Sequence, residues 1–211
     1  MQVNSNQRKR VQGFTLIEMI GVLAVIAILA SMLIPKIFEA INSARINNTI
    51  QSYNAIKTGV LDHYGKYGAI NLLGTTQTAY AAGSAQMNAY DRQILLPEAL
   101  IDKPFVARVG TNWVIQAVAG GLTTDAVTGI NSSYDLDGSG TANNDAGGAS
   151  FVVEAVISSV ATADAIDIST RLDGLSMSQP ANSALADLAG RVKYATPVNG
   201  LTDVYIYICH R

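Results

Sequence analysis

Between Phe14 and Ile34 the chain passes 21 residues with a single ionisable side chain, Glu18. A helix rising ~1.5 Å per residue would carry that stretch across a hydrocarbon layer ~30 Å thick. It reads as a membrane span. Arg8, Lys9 and Arg10 stand just before it, and such a basic run stays on the cytoplasmic side, which sends the remainder of the chain outward. A secretory signal peptide also joins a basic start to an apolar run, but its apolar run is shorter and ends at a small-x-small cleavage site. No A-x-A occurs in Leu23 to Leu33.

The distinctive residues lie at the other end of the run, where Gly13-Phe14-Thr15-Leu16-Ile17-Glu18 abuts the basic leader. This hexapeptide resembles the processing site of type IV prepilins and of type II secretion pseudopilins. The resemblance implies that a prepilin peptidase cuts between Gly13 and Phe14 on the cytoplasmic face. The new terminus at Phe14 is then N-methylated, and the apolar helix stays on the mature protein. Pro35, 22 residues past the cut, falls where pilin helices commonly carry a proline. The likeness covers roughly Gly13 to Tyr64.

A carboxylate near the middle of a span costs ~2.5 to 3.5 kcal/mol, less near an end, and so invites a search for its partner. No other side chain from Phe14 to Ile34 is ionisable. One reading is that Glu18 snorkels to the interface. The other, which the resemblance implies, is that Glu18 meets the terminal ammonium of Phe14 on a neighbouring subunit during assembly. At ~4 Å and an effective dielectric near 20 that pair attracts by ~4 kcal/mol before desolvation.

Beyond Pro35 the pattern turns periodic. Ile37, Ile41, Ile46, Ile50, Tyr53, Ile56, Val60 and Tyr64 recur at steps of three to five, with polar residues between them, as in an amphipathic helix. Phe14 to about Tyr64 then reads as one helix of ~75 Å. A bend is expected at Pro35, which lacks a backbone donor, and the end at Gly65-Lys66-Tyr67-Gly68. Four regions follow: a leader over 1–13, a transmembrane or filament-core helix over 14–34, an amphipathic stem over 35–64 and an extracytoplasmic head over 65–211.

Within the head, Ile70 to Tyr90 reads as a surface loop, and Asp91 to Leu100 as a short helix broken by Pro97. Phe105–Val109 and Trp113–Val118 read as a hairpin around Gly110-Thr111-Asn112. Phe151 to Ser158 reads as a strand, Thr162 to Leu172 as a helix, and Arg191–Ala195 and Val204–Cys209 as closing strands. A long N-terminal helix on a small antiparallel sheet is an α+β fold, and it is also the pilin layout.

Without the three leader cations the chain holds 11 basic against 16 acidic side chains, a formal charge of −5. That balance gives no electrostatic case for nucleic acid. Cys209 is the single cysteine, so the C-terminal disulfide of many pilins has no counterpart here.

One stretch carries site chemistry, Tyr134 to Gly148, YDLDGSGTANNDAGG. Against the calcium pattern D-x-[DN]-x-[DN]-G, Asp135 and Asp137 take positions one and three, Ser139 position five and Gly140 the turn. Thr141 would offer its carbonyl and Asn143 position nine. Ala146 then stands where the bidentate glutamate belongs, and Asp145, one residue earlier, could replace it only in a changed loop. A solvated turn rich in Asp, Asn and Gly explains the same residues. The resemblance favours Ca2+, since major pseudopilins bind it late in the head.

His63 and His210 read as surface residues, and no G-x-S-x-G, H-E-x-x-H, C-x-x-C or phosphate-binding glycine loop occurs. The chain thus reads as a structural subunit of a pilus-like filament or secretion pseudopilus rather than an enzyme. Its expected partners are other pilin or pseudopilin subunits, the prepilin peptidase and the inner-membrane assembly machinery. The rival is an extracytoplasmic binding protein or enzyme on a simple membrane tether, which would require neither Gly13-Phe14 nor Glu18.

Overall fold

A computed structural model describes residues 13–120, 133–139, 145–146, 151–178 and 185–211. The basic leader residues Arg8, Lys9 and Arg10 lie outside them. The long helix α1 runs from Leu16 to Tyr67. It closes within the expected Gly65-Lys66-Tyr67-Gly68 stretch: Gly65 is still helical, and Gly68, at φ +70°, takes the left-handed position that ends it. Its amide still reaches the Tyr64 carbonyl at 2.8 Å.

The chain divides into two compact units, Met1–Ser43 and Ala44–Arg211. In the first, the apolar side chains of α1 are exposed, from Leu16 through Leu29 to Ile41. The helix is unbroken at Pro35.

The second unit holds the rest of α1 and the head. A two-residue hairpin, β1 (Leu72–Leu73) and β2 (Thr78–Ala79), is followed by β3 (Asn112–Ala119), β4 (Phe151–Ala161), helix α2 (Thr162–Asp173), β5 (Val192–Tyr194) and β6 (Leu201–His210). The four longer-range strands form one antiparallel sheet in the order β3-β4-β6-β5. Strand side chains alternate between faces, so Ile115 and Ala117, Val153, Ala155 and Ile157, and Val204, Ile206 and Ile208 share one face. Onto it pack Ile46, Tyr53, Ile56 and Val60 of α1 and Ala165 and Ile168 of α2. The Tyr53 hydroxyl donates to the Tyr207 carbonyl at 2.6 Å. Burial pushes the Tyr53 phenol well above its usual range.

The opposite face carries Gln116, Glu154 and Tyr207 in one row across β3, β4 and β6. Residues of the acidic loop cover it, and a second small core of Val118, Tyr134, Ala146 and Val152 forms there.

Two expectations fail in the head. Residues 105–109 do not pair with β3, whose partner is β4. Their backbone is satisfied instead by side chains: Phe105 N–H donates to Asp91 Oδ2 at 2.8 Å, Val106 N–H to Ser52 Oγ at 3.0 Å and Arg108 N–H to Thr49 Oγ1 at 2.9 Å. Arg45 Nε donates to the Arg108 carbonyl at 2.8 Å. A helix presenting oxygens at these positions removes the need for a hairpin partner. Gly110 then turns the chain into β3 at φ +72°, where an added Cβ would stand 2.6 Å from the Ser158 carbonyl oxygen.

The stretch 70–90 is not only a surface loop either, because Ile70, Met87 and Tyr90 are buried. The Tyr90 hydroxyl donates to the Ile70 carbonyl at 2.8 Å. The short helix after it is a single wide turn, Asp91–Leu95, already finished before Pro97.

Candidate functional site

Gly13 and Phe14 lie at the foot of α1. Phe14 is 82 % exposed, and an added Cβ on Gly13 would find no heavy atom within 4 Å. Within its own chain Glu18 has hydrogen-bond partners on Thr15, one turn back. Thr15 N–H and Thr15 Oγ1 both donate to Glu18 Oε2, at 2.7 and 2.8 Å, while Glu18 N–H donates back to Thr15 Oγ1 at 3.3 Å. This is a capping box, in which Thr and a Glu three residues later satisfy otherwise unpaired amides at the helix start. The threonine contacts fall on Oε2 alone.

The acidic loop gathers Asp135, Asp137 and Asp145, whose ligand oxygens lie within 4.8 Å of one another. Asp145 Oδ2 accepts the amides of Leu136 at 2.7 Å and Asp137 at 3.0 Å. Ser139 N–H donates to Asp135 Oδ1 at 3.1 Å and to Asp137 Oδ1 at 2.9 Å, with Gly138 at φ +72° making the turn. Ala146 points into the second core, and the neighbouring Asp145 joins the other two acids. Thr141 and Asn143, with Gly140, lie outside the described residues. An all-oxygen donor set of three carboxylates suits a hard cation of the Ca2+ or Mg2+ type.

Buried groups underlie this loop. Lys193 is fully buried, donates through Nζ to the Ser133 carbonyl, and sits 4.0 Å from the Tyr134 ring centroid. The Tyr134 hydroxyl donates to Glu154 Oε2 at 2.5 Å, and Gln116 Nε2 to Glu154 Oε1 at 2.7 Å. Burial raises the Glu154 carboxyl above its usual range, partly opposed by its hydrogen bonds to Tyr134 and Gln116 and by the Lys193 charge. Glu154 stands in β4 as a lone acid in an otherwise apolar run, the one hint of its role that the sequence carries.

His63 is not at the surface. It is fully buried on α1, with Nδ1 2.6 Å from Glu98 Oε2, and its ring packs on Tyr67 and edge-on to Tyr90. Glu98 Oε1 in turn accepts the Gly74 amide at 2.5 Å. The segment around β1 and Glu98 therefore closes over a helix position that periodicity alone leaves outside the apolar stripe. His210 is half-buried and pairs with the Tyr207 hydroxyl at 2.6 Å.

No curated protein and no solved structure matches the chain. A family model described as the prokaryotic N-terminal methylation motif matches residues 8–34. The chain carries, on those residues, the signature of type IV prepilins.

Proposed function

We propose that this protein is a structural subunit of a type IV pilus-like filament or a type II secretion pseudopilus, made as a prepilin, cut after Gly13 and methylated at Phe14. The observation that carries this reading is the methylation motif set on an apolar helix with one carboxylate in its first turn. Cleavage would convert the Phe14 amide into an ammonium next to Thr15. Glu18 would then offer its negative charge to that group on a neighbouring subunit. The partners are other pilin-type subunits, the prepilin peptidase and the assembly machinery of the inner membrane. Before assembly the protein is a single-pass inner-membrane protein with its head outside the cytoplasm, and afterwards part of a periplasmic or surface filament. Both environments exclude water from the apolar helix.

Mass spectrometry of the mature protein tests the processing step, with a methylated Phe14 as the expected terminus. Glu18→Ala tests the assembly step. Removing one member of a pair that assembly buries costs several kcal/mol, whereas alanine is cheaper than glutamate in lipid. The variant should be processed and inserted, yet absent from sheared filaments. Normal assembly of Glu18→Ala would overturn the intersubunit pair, and an unmethylated terminus beyond Ala30 would support ordinary secretion.

The reading extends to the acidic loop, where Asp135, Asp137 and Asp145 would hold a calcium ion with help from Ser139, Thr141 and Asn143. Bound there, the ion would neutralise three clustered carboxylates and hold the loop together.

A further inference from the structure

Where the last turns of α1 meet the start of β4 and the end of β6, the structure leaves a cavity of about 310 Å3. Its walls are apolar, made by the Tyr64 ring, Phe151 and the buried Ile70. Gly68 and Ala69 line it as well and keep the room open, since neither carries a long side chain; even a Cβ on Gly68 would meet no heavy atom within 4 Å. A space of this size lies at the small end of ligand pockets, ~300 to 1,000 Å3, and suits a single residue-sized group.

Arg211 brings a cation to this apolar space. Its backbone is tied to β4, because Arg211 N–H donates to the Phe151 carbonyl at 2.9 Å and Phe151 N–H donates to the Arg211 carbonyl at 2.6 Å. The guanidinium then lies over the Tyr64 ring, 4.8 Å from its centroid. That contact orients the group but takes up none of its N–H donors. Among the described residues the guanidinium makes no ion pair and no hydrogen bond. Lys57 adds to the positive field here: it and Arg211 both oppose the burial that pushes the Cys209 thiol up to about 11.

Apolar walls with one fixed polar group are what a small-ligand site requires. A planar guanidinium matches a carboxylate bidentately. A neutral hydrocarbon would leave those donors to water, and a bare inorganic anion would leave the walls unused. We propose that this cavity binds an apolar carboxylate, with its hydrocarbon body between Tyr64, Phe151 and Ile70 and its carboxylate on Arg211. A free aromatic acid and the C-terminal residue of a peptide share that chemistry.

The test is a titration of the full-length protein in non-ionic detergent, followed through the Nε–H resonances of 15N-labelled arginine, with the Arg211 signal assigned by its loss in Arg211→Gln. N-acetylphenylalanine should shift that signal, and N-acetylphenylalaninamide, which lacks only the charge, should bind at least about 10-fold more weakly, the difference expected when a hydrogen bond to a charged group is lost. Saturation-transfer measurements on the ligand extend the comparison to the variants. Arg211→Gln, at an exposed position, should keep the parent's melting temperature and lose about 10-fold in affinity for the acid. Ala69→Leu, which fills the cavity and leaves the charge, should abolish binding of the acid. A pentapeptide ending in phenylalanine that binds at least as tightly as N-acetylphenylalanine identifies a chain terminus as the source, and one that fails to bind identifies a free acid. No binding of N-acetylphenylalanine by the parent, equal binding of acid and amide, or parent-like affinity in both variants overturns the proposal.

Discussion

One helix has two kinds of surface. Over Leu16 to Ile41 the apolar side chains of α1 point in every direction and are exposed. From Ile46 to Val60 they form a stripe, and Ile46, Tyr53, Ile56 and Val60 are each at most 1 % exposed. An apolar residue repeated without period has no single partner to bury against, and a helix hydrophobic all round belongs in lipid or in a bundle of like helices. An apolar residue repeated every three or four positions has a face, and a sheet can meet it. Hydrophobicity alone therefore does not distinguish the halves of α1; its spacing does.

Matched substitutions in the two halves separate them. The largest difference is expected from isoleucine truncation. Ile56→Ala should cost the head about 2–5 kcal/mol because it leaves a cavity against the sheet. Ile26→Ala, on an exposed position, should leave the melting temperature in detergent unchanged. A parent-like melt for Ile56→Ala would break the comparison.

The polar rungs come next. Thr49→Val keeps the shape of a nearly buried side chain but deprives the Arg108 amide of its acceptor. A loss of roughly 1–3 kcal/mol is expected in chemical denaturation. Asn54 faces solvent on the same helix, and Asn54→Ala should move the midpoint by less than about 0.5 kcal/mol.

Two of the three glycines of α1, Gly59 and Gly21, give a comparison of similar size and sharper chemistry. A Cβ on Gly59 would stand 2.6 Å from Ile101 Cγ2 and 3.3 Å from the Leu100 carbonyl oxygen, while one on Gly21 would meet nothing within 4 Å. Gly59→Ala should therefore destabilise the head by about 1–3 kcal/mol through overpacking. Gly21→Ala should leave its melting curve unaltered. Equal curves for the two variants would show that Ile101 yields without cost.

The smallest effect belongs to the helix start. Thr15→Ala removes the capping box and should cost about 0.5–2 kcal/mol locally. Amide exchange at residues 15–18 should quicken while the head's protection stays the same.

Much of this was legible because it depended on local pattern. The continuous run of Phe14 to Ile34, the stripe after Pro35, the glycine at the helix end, and the strands at Phe151 and Val204 follow from residue type and spacing. The Thr15–Glu18 cap is written in the sequence too, as T-x-x-E, with a hydroxyl and an amide rather than an ion as the carboxylate's partners. What local pattern does not carry is partnership at a distance. His63 meets Glu98 35 residues away and Glu154 meets Tyr134 from the far face of the sheet. Residues 105–109 have the composition of a strand, and side-chain oxygens of α1 and of Asp91 explain why they need no strand beside them. At the acidic loop the residue types, Asp145 among them, were legible, but the burial of Ala146 in the second core beside the three gathered acids was not, since it depends on strands far away in the chain.

The contacts from Arg45, Thr49 and Ser52 to residues 106 and 108 also have a mechanical meaning. A slip of α1 by one turn, ~5.4 Å, in one direction would bring Arg45, a pure donor, against the Arg108 amide, which is also a donor. In the other direction it would set Ala55 or Ile56, which have no side-chain oxygen, against the Val106 amide. Neither shifted register can be satisfied. A pull along the helix axis loads these rungs together in shear, so the segment from Ala44 to Tyr67 resists tension as a keyed shaft does, by refusing to slide rather than by gripping harder.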